Sequence, residues 1–361
     1  MPMIASRLTR FVTSALVVPF LVVGCQVGQQ SQVPDLSSNP SGPAAVRRAA
    51  ESITAAGMRS RISFLASDEL RGRETTSPGQ ETAAAYIVGE YTRLGLLPRG
   101  DSSSYIQRYP FVPRPMQVGP PMPVLAPNVV AVLPGSDPAL RNEYVVLSAH
   151  MDHVGVGRPV RGDSIYNGAD DNASGTAALL EVAQALSSLP IAPRRSILFL
   201  NVSGEEHGLL GSEAFTRNPT VPVSSIVADI NVDMISRNSP DSIVVIGKEY
   251  SSLGELVNAV GAQHPEIRLT VSDDIWPEER FFFRSDHYNF ARLEIPSLFF
   301  FAGVHNDYHQ PSDEVSRIDP DKAARVARLI FYSVQEIANA PGRPKWNPAG
   351  LAEVRSMTRG R

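Results

Sequence analysis

The chain has little cysteine and no excess of basic residues, and each shortage excludes a class of protein. Its 361 residues include a single cysteine, Cys25, so a disulfide within the chain is impossible and a cysteine cluster cannot bind metal. The formal net charge at pH 7 is −4, whereas proteins that bind nucleic acid usually carry a basic surplus. Hydrophobic residues make up 43% of the chain and charged residues 19%, which is an ordinary globular mixture. We therefore expect a fold stabilised by its hydrophobic core, with no nucleic acid among its partners.

Residues 1–24 have the composition of an export signal. Arg7 and Arg10 precede an apolar run from Phe11 to Val23, and the segment carries no acidic residue. The run is too short to cross a bilayer as a helix, but it has the length of the apolar part of a signal peptide. The segment therefore predicts an exported protein.

The tetrapeptide Val-Val-Gly-Cys at 22–25 resembles the lipobox of bacterial lipoproteins, whose cysteine carries diacylglycerol after cleavage. On this interpretation Cys25 anchors the mature chain to a membrane, because acyl chains bind a bilayer without a spanning helix. Gln26 is not acidic and resembles the sorting signal for the outer membrane. The alternative is a plain secretory signal with an incidental cysteine, which leaves the protein periplasmic or extracellular. Residues 25–43 are polar and predict a flexible tether.

From residue 128 onward, short apolar runs rich in β-branched residues alternate with helical patterns. We predict strands at 128–133, 144–149, 196–202, 226–232, 243–246 and 297–301. We predict helices at 44–66, 77–96, 173–189, 251–262, 286–293 and 319–338. Near-continuous apolar strands that alternate with helices favour a mostly parallel sheet covered on both faces. We therefore expect a single three-layer α/β/α domain at 44–340, with a mixed, mostly parallel sheet, and a loose polar tail at 341–361.

Acidic and imidazole side chains follow the predicted strands. His150 comes directly after one strand, and Glu205 and Glu206 come after the next. Asp233 ends a third strand, and His309 lies beyond the last one. Open α/β sheets bind ligands outside the carboxyl ends of their strands. We therefore expect these side chains to meet at one edge of the sheet.

A further pair of acids, Asp170 and Asp171, lies in a polar turn that opens a predicted helix. A single acid at such a place is often only a helix cap or a partner of the helix dipole. Two acids among glycines and small residues indicate crowding around a bound group, as when one carboxylate bridges two cations. Glu205 and Glu206 are likewise adjacent, and alone such a pair is usually a solvated loop. Beside cations, one can ligate while the other transfers protons.

Taken together, these side chains form a ligand set for two metal ions with one carboxylate to spare. The candidate ligands are His150, Asp171, Glu206, Asp233 and His309. Two metal ions can activate a water at neutral pH and polarise a carbonyl group, so the set predicts a hydrolase. Ligating imidazoles usually give their second nitrogen to an acceptor, and we expect Asp152 to orient His150 and Asp313 to orient His309. The alternatives are a structural histidine at His150 and an ordinary strand-end turn at Asp233.

The motifs in combination resemble the co-catalytic dizinc aminopeptidase family, whose relatives include glutamate carboxypeptidase, glutaminyl cyclase and the transferrin receptor. They are His-x-Asp at 150–152, Gly-Ala-Asp-Asp-Asn at 168–172, Gly-Glu-Glu at 204–206, Asn-x-Asp-Met at 231–234, Arg-Ser-Asp-His at 284–287 and Tyr-His at 308–309. The similarity runs from about Asp68 to Ala338. Many relatives insert a further domain before the first metal histidine, but the stretch from Tyr105 to Glu143 is too short for it. The resemblance therefore implies a single catalytic domain.

The resemblance also implies two Zn²⁺ ions per chain, with Asp171 as the ligand common to both. His150 and Asp233 complete one site, and Glu206 and His309 complete the other. All five positions are filled, whereas glutaminyl cyclases work with one zinc ion and the transferrin receptor has lost ligands. The residue types also accept cobalt or manganese, because selectivity depends on geometry and supply.

The catalytic residues implied by the resemblance are Glu205 and Tyr308. Glu205 is the general acid and base for a metal-bridging water, and Tyr308 steadies the oxyanion of the tetrahedral intermediate. The residues expected to contact the substrate are Arg284, Ser285, Asp286 and Phe283. Phe283 belongs to a run of three phenylalanines, which is more often part of a core.

The leading interpretation is a membrane-anchored zinc aminopeptidase, an exopeptidase that acts on peptides with a free N-terminus. A second interpretation is a carboxypeptidase or dipeptidase on the same site, with Arg284 binding a substrate carboxylate. A third is a non-catalytic surface receptor of the same fold. The complete ligand set and the free Glu205 favour an enzyme over the receptor.

Overall fold

The computed structural model describes residues 39–112 and 123–359. The expected export signal, the expected lipidation residue Cys25 and most of the expected tether lie outside the described residues. Within the described ranges, no helix combines the length and the apolar composition needed to cross a bilayer.

The helices of the described residues begin where the sequence supplies capping side chains. Ser77 accepts a hydrogen bond from the backbone N–H of Gln80 at the start of the third helix, and Pro78 occupies the first turn. Asp319 accepts one from Lys322 at the start of the eighth helix. The helices are α1 (Pro43–Glu51), α2 (Ala55–Leu65), α3 (Pro78–Arg93), α4 (Gly175–Ser187), α5 (Leu210–Arg217), α6 (Leu253–Gln263), α7 (His287–Ala291), α8 (Pro320–Asn339) and α9 (Pro348–Arg359).

Nine of the described strands form one sheet, and two form a separate small sheet. The strands are β1 (Leu97–Pro98), β2 (Ile106–Phe111), β3 (Val124–Leu133), β4 (Tyr144–His150), β5 (Gly155–Val160), β6 (Asp163–Tyr166), β7 (Ser196–Val202), β8 (Ile226–Asp233), β9 (Ser242–Ile246), β10 (Thr270–Ser272) and β11 (Ser297–Phe301). The large sheet has the order β1-β3-β7-β4-β8-β11-β9-β10, with β2 beside β3, and β5 pairs with β6.

The middle of the large sheet is parallel and its flanks are partly antiparallel. Strands β7, β4, β8 and β11 run in the same direction, whereas β3 and β9 pair antiparallel with β7 and β11. In register, His150 lies opposite Val202 and Phe301 lies opposite Asp233, so the carboxyl ends of the parallel strands are level. The expected mixed, mostly parallel sheet of an α/β fold is confirmed.

Both faces of the sheet are covered by helices. In β7, Ile197 and Phe199 pack into the larger core together with α2, α3, α4 and α8, while Leu198 and Leu200 point to the opposite face. There they meet Phe215 of α5 and the short helix α7. A strand buried on both faces has no polar positions to alternate with apolar ones. This burial explains the continuous apolar runs that identified the strands in the sequence.

The C-terminal residues differ from the expected loose tail, because they form α9. Val354 is only 1% exposed and packs in an apolar cluster with Tyr250, against which Met357 also rests. Just before the helix, Trp346 donates a hydrogen bond from Nε1 to the carbonyl of Glu294, at 2.7 Å. The two apolar side chains three residues apart are enough to dock one face of a short helix, although they are too few to produce a recognisable period.

Candidate metal centre and catalytic site

Strand ends and the turn before α4 bring the expected ligands together. His150 is the last residue of β4, and Asp233 is the last residue of β8. Glu206 lies in the loop after β7, and His309 lies in the loop after β11. Asp171 lies in an irregular helical turn directly before α4. Because β7, β4, β8 and β11 are parallel neighbours, their loops open at the same edge of the sheet.

His150, Asp171 and Asp233 form the first group of facing donor atoms. Nε2 of His150 lies 3.3 Å from Oδ1 of Asp171 and 3.4 Å from Oδ1 of Asp233. Ligands at the usual zinc distances of about 2.0–2.1 Å, placed at the corners of a tetrahedron, lie roughly 3.3 Å from one another. The spacing in this group therefore fits three ligands of one cation.

Asp171, Glu206 and His309 form the second group. Nε2 of His309 lies 3.1 Å from Oδ2 of Asp171 and 3.0 Å from Oε2 of Glu206. Asp171 thus turns Oδ1 toward the first group and Oδ2 toward the second. A carboxylate with one oxygen in each group can bridge two metal ions.

Several of the facing atoms have no other partner. Nε2 of His150, Oδ1 of Asp233 and Nε2 of His309 are buried and make no hydrogen bond to any described residue. Buried polar atoms are nearly always hydrogen-bonded, and buried charges are paired or coordinate a metal. The side chains present therefore fit the pair of metal ions that the sequence implies.

Asp152 supports the first group in a different way from the one expected. Nδ1 of His150 lies 3.2 Å from the backbone carbonyl of Asp152 and 3.7 Å from its carboxylate, so the carbonyl is the closer acceptor. The carboxylate instead accepts hydrogen bonds from the hydroxyl of Thr75 at 2.8 Å and from the backbone N–H of Glu205 at 3.4 Å. Asp152 thereby joins the end of β4 to the loop that carries Glu205.

Asp313 supports Asp171 rather than His309. Its carboxylate accepts hydrogen bonds from the backbone N–H groups of Asp170 and Asp171, both at 3.1 Å. N–H groups in the first turn of a helix have no partner within the helix and need an outside acceptor. This need accounts for the difference from the expectation, since the sequence spacing alone placed Asp313 nearest His309.

Arg73 is fully buried beside the acidic side chains. Nε donates to the carbonyl of Met151 at 3.0 Å, Nη1 to that of Asn167 at 2.7 Å and Nη2 to that of Gly168 at 3.0 Å. Burial lowers the pKa of Arg73 to about 10, so the group is still cationic at neutral pH. Arg73 therefore fastens the segment after β4 to the segment before α4 and adds a positive charge to this region.

His153 lies directly beside the second group, and the sequence analysis did not select it. Its Nδ1 lies 2.7 Å from Oε1 of Glu206 and 3.7 Å from Oδ2 of Asp171, and the residue is fully buried. With these neighbours and His309, it forms a set of donor atoms that could hold a metal ion. The available signal was a second histidine close to His150, with Asp152 between them.

A small cavity opens directly beside the donor groups. Its polar wall is formed by Asp171, Glu205, Asp233, Arg284, Ser285 and Tyr308. Its apolar wall is formed by Met234, Phe281, Phe299, Phe301 and Val304. Both expected catalytic residues, Glu205 and Tyr308, therefore face the space next to the donor atoms. The Tyr308 ring also stacks on the ring of His309, with centroids 3.9 Å apart.

The expected substrate residues have different positions relative to this cavity. Arg284 lies at the cavity, where it pairs with Glu279 at 3.0 Å. Ser285 also lines the cavity, and its hydroxyl lies 3.3 Å from Oδ2 of Asp233. Asp286 is fully buried. Phe283 lines a separate groove, whereas its neighbour at position 281 lines the cavity.

Glu205 and Glu206 are adjacent in the chain, yet their pKa values shift in opposite directions. Burial, helped by the carboxylate of Glu206, raises the pKa of Glu205 well above its usual range. Burial and the Asp171 carboxylate would also raise the pKa of Glu206, but the neighbouring imidazoles of His153 and His309 outweigh them and lower it to about 2. Glu206 is therefore the fixed anion of the pair, and Glu205 is the one that can carry a proton.

Comparisons of the sequence with known protein families and with individual proteins both point to peptidases. The model of Peptidase family M28 matches residues 128–334, a range that contains both donor groups. A probable leucine aminopeptidase from Arthroderma otae is 28% identical over 222 residues, which cover 59% of this chain and 58% of that protein. The match therefore spans less than two thirds of the relative's length.

Solved structures show the same fold. An aminopeptidase from Aneurinibacillus sp. strain AM-1 is similar with a TM-score of 0.62 at 16% identity, covering 84% of this chain and 98% of that one. A zinc aminopeptidase from Bacillus subtilis also gives a TM-score of 0.62 at 16% identity, covering 79% of this chain and 95% of that one. Identities this low establish the architecture and leave the substrate open.

Removal of the shared carboxylate should affect both metal ions. We expect Asp171→Ala to weaken binding at both sites by more than about 100-fold, since losing even an outer partner of a ligand typically costs 10–100-fold. The matched variant Asp233→Ala should lose only the first ion, because Asp233 contacts only the first group. Metal content after dialysis, measured by mass spectrometry, gives the comparison. An Asp171→Ala protein that retains either ion would contradict the bridging role.

Metal binding should release protons. Burial would lower the pKa of His309, but the carboxylates of Asp171 and Glu206 outweigh it and raise the pKa to about 10. The pKa of His150 is raised well above its usual value in the same way, because the neighbouring carboxylates outweigh burial. Both rings therefore carry an extra proton at pH 7 in the metal-free protein, and each must lose it to bind a metal ion. Titration calorimetry in two buffers of different ionisation enthalpy measures the release, which should decrease as the pH approaches 10. Heats that do not depend on the buffer would be inconsistent with this state.

Proposed function

Because the chain belongs to peptidase family M28, we propose that it is a zinc-dependent aminopeptidase that binds two Zn²⁺ ions and removes N-terminal residues from peptides. The observation that carries the proposal is the carboxylate of Asp171, whose two oxygens face His150 on one side and His309 on the other. A site for a single ion would need only one of these faces. The similar proteins described as a leucine aminopeptidase and a zinc aminopeptidase support the same activity.

The two donor groups divide the ligands between the ions. His150 and Asp233 would hold the first ion with Oδ1 of Asp171, and Glu206 and His309 would hold the second with Oδ2. When bound, such a pair of ions supplies a water of lowered pKa and polarises the scissile carbonyl. The chain's own side chains must then orient the substrate and transfer the protons.

Glu205 is the group placed to transfer protons. It lines the cavity, its backbone N–H is held by Asp152, and its carboxylate accepts no hydrogen bond from any described residue. A raised pKa suits a general acid and base, because the group can take a proton from water and return it near neutral pH. In peptide hydrolysis Glu205 would deprotonate the attacking water and then protonate the leaving amine.

Tyr308 is the group placed to stabilise the oxyanion. It lines the same cavity, and its stacking on His309 fixes the ring next to the second group. Burial and the nearby carboxylates raise the pKa of Tyr308, so the phenol keeps its proton. A neutral phenol can donate a hydrogen bond to the negative oxygen that develops as the carbonyl is attacked.

The charges around the cavity favour a substrate with a free amine. Asp171, Glu205 and Asp233 form an acidic wall, and a protonated or metal-associated α-amine is the substrate group that fits it. A carboxypeptidase would need a cation for the terminal carboxylate. Arg284 is the cation at the cavity, but Glu279 lies 3.0 Å from it and offsets its charge. We therefore favour release of N-terminal residues over C-terminal ones.

The apolar wall of the cavity favours a hydrophobic first residue. Phe281, Phe299 and Phe301 line it together with Met234 and Val304. Apolar side chains that leave water for such a wall gain about 25 cal/mol per Å² of buried area. The lipid anchor inferred at Cys25 would place this activity on peptides near a membrane surface.

The role of Glu205 predicts a separation of metal binding from turnover. Glu205→Gln should keep both ions but lower kcat by about 10²–10⁴-fold, the usual contribution of general acid–base catalysis. Metal content and kcat on an aminoacyl chromogenic substrate are measured on the same preparation. Glu213→Gln, which changes a glutamate of α5 paired with Arg217, is the matched control and should turn over normally. Near-normal turnover of Glu205→Gln would remove Glu205 from the mechanism.

The aminopeptidase proposal is tested with a panel of substrates. We expect hydrolysis of aminoacyl substrates with leucine-like or aromatic first residues, loss of that activity with a chelator and recovery with Zn²⁺. The same peptides with an acetylated N-terminus should be poor substrates, because the acidic wall then has no amine to bind. Faster hydrolysis of the blocked peptides, with release of the C-terminal residue, would favour a carboxypeptidase instead.

A further inference from the structure

We propose that His153 is a positioning residue for the second metal ion, which it serves by holding Glu206 with a hydrogen bond. The inference rests on the two-metal function proposed above and assigns a task to a histidine that the ligand motifs leave without one. His153 is the last residue of the short segment from His150 that leaves the end of β4.

The first argument is the division of the Glu206 carboxylate. Oε2 lies 3.0 Å from Nε2 of His309, on the side of the second donor group. Oε1 lies 2.7 Å from Nδ1 of His153, on the other side. A carboxylate that is hydrogen-bonded through one oxygen presents the other in a defined direction, so His153 sets which oxygen of Glu206 faces the metal ion.

The second argument is that the contact has the length of a hydrogen bond rather than that of two ligands of one ion. Hydrogen bonds from a nitrogen donor to a carboxylate are about 2.7–2.9 Å long when charge-assisted. Donor atoms around one zinc ion lie roughly 3.3 Å apart, and those of the two groups lie 3.0–3.4 Å apart. Nδ1 of His153 fits the first range with Glu206.

The third argument comes from the other ring nitrogen. Nε2 of His153 is buried and has no hydrogen-bond partner among the described residues. If Nδ1 carries the proton and donates to Glu206, Nε2 is only an unused acceptor. If Nδ1 bound the metal ion instead, Nε2 would carry a buried N–H without an acceptor, and orphaned N–H groups are the rarer and costlier case.

The surroundings hold the ring of His153 in place. The residue is fully buried, and its backbone N–H donates to the carbonyl of Arg73 at 3.3 Å. Gly168 lies against the ring so closely that a Cβ there would come within 2.5 Å of Cδ2, and its φ of +59° also favours glycine. The edge of the ring meets His309, with centroids 5.6 Å apart. A ring so confined can orient Glu206 but has little room to move toward the ion.

The expected consequence is selective. Outer partners of metal ligands typically contribute 10–100-fold to metal affinity. Loss of the His153 contact should therefore weaken the second site by about 10–100-fold, whereas the first site, whose His150 is oriented by the Asp152 carbonyl, should keep its affinity.

The test compares three substitutions at one position. Asparagine places an amide nitrogen close to where Nδ1 lies and keeps a donor toward Glu206, whereas glutamine places its nitrogen near the position of Nε2, and alanine has none. Apo protein is titrated with Zn²⁺ against a chelating indicator, both in the wild-type chain and in the Asp233→Ala background, where only the second site remains. We expect His153→Ala and His153→Gln to lose affinity at the second site and His153→Asn to keep nearly all of it.

The matched control is His207→Asn, in the same loop as Glu206. The His207 ring packs on Phe111, with centroids 5.0 Å apart, so its replacement should leave both affinities unchanged. Thermal unfolding of each apo variant shows whether it is folded. If His153→Ala does not fold, the contrast between asparagine and glutamine decides by itself.

Two results would overturn the role of His153. One is an asparagine variant as weak at the second site as the alanine variant, which would make the imidazole itself a ligand. The other is an alanine variant with wild-type affinity, which would leave the contact without consequence. The wild-type titration is a separate test of the proposed function: a wild-type chain that binds fewer than two ions contradicts the two-metal enzyme before any variant is compared.

Discussion

The buried carboxylates at the end of the parallel strands are the constraint on which the rest of the site depends. Asp171, Glu206 and Asp233 are held close to one another, although like charges out of water repel strongly and buried charges must be paired. Arg73 offsets part of this charge, but its donors are used on the carbonyls of residues 151, 167 and 168. The remaining charge and the unpartnered His150 Nε2 call for cations between the side chains.

The same crowding gives two adjacent glutamates different pKa values. Glu206 faces two imidazoles, so its anion is stabilised and its pKa falls to about 2. Burial and acidic neighbours raise the pKa of Glu205, whose carboxylate has no hydrogen-bond donor among the described residues. Catalytic sites commonly separate acid and base in this way, by giving similar groups dissimilar environments. The difference in pKa depends on which neighbours each glutamate side chain meets in the folded protein. It therefore cannot be predicted from the sequence, in which the two residues are identical and adjacent.

How far the sequence predicts the structure depends on whether a feature is local. The strand at 297–301 is set by its own leucine and three phenylalanines, and its predicted bounds coincide with β11. The ligand residues were recognisable because strand ends collect polar groups at one edge. The contact of Asp313 with the backbone of residues 170 and 171 and the docking of α9 through Val354 depend on distant partners, which no local pattern encodes. His153 escaped for a related reason: it lies beyond the end of β4, where the alternation of a strand no longer predicts which way a side chain points.

The short segment 150–153 therefore contacts both donor groups and the loop that carries Glu205. His150 belongs to the first donor group, and the backbone carbonyl of Asp152 orients its ring. The Asp152 carboxylate accepts a hydrogen bond from the backbone of Glu205 and so holds that loop. The last residue of the segment, His153, contacts the carboxylate of Glu206 in the second group. The backbone carbonyl of Arg73 accepts a hydrogen bond from the N–H of His153, and its guanidinium donates one to the carbonyl of residue 151. These two hydrogen bonds fix the segment at both positions. Arg73 lies before residues 128–334, which the family model matches, so the residue that fixes this segment at both positions is not part of the matched range.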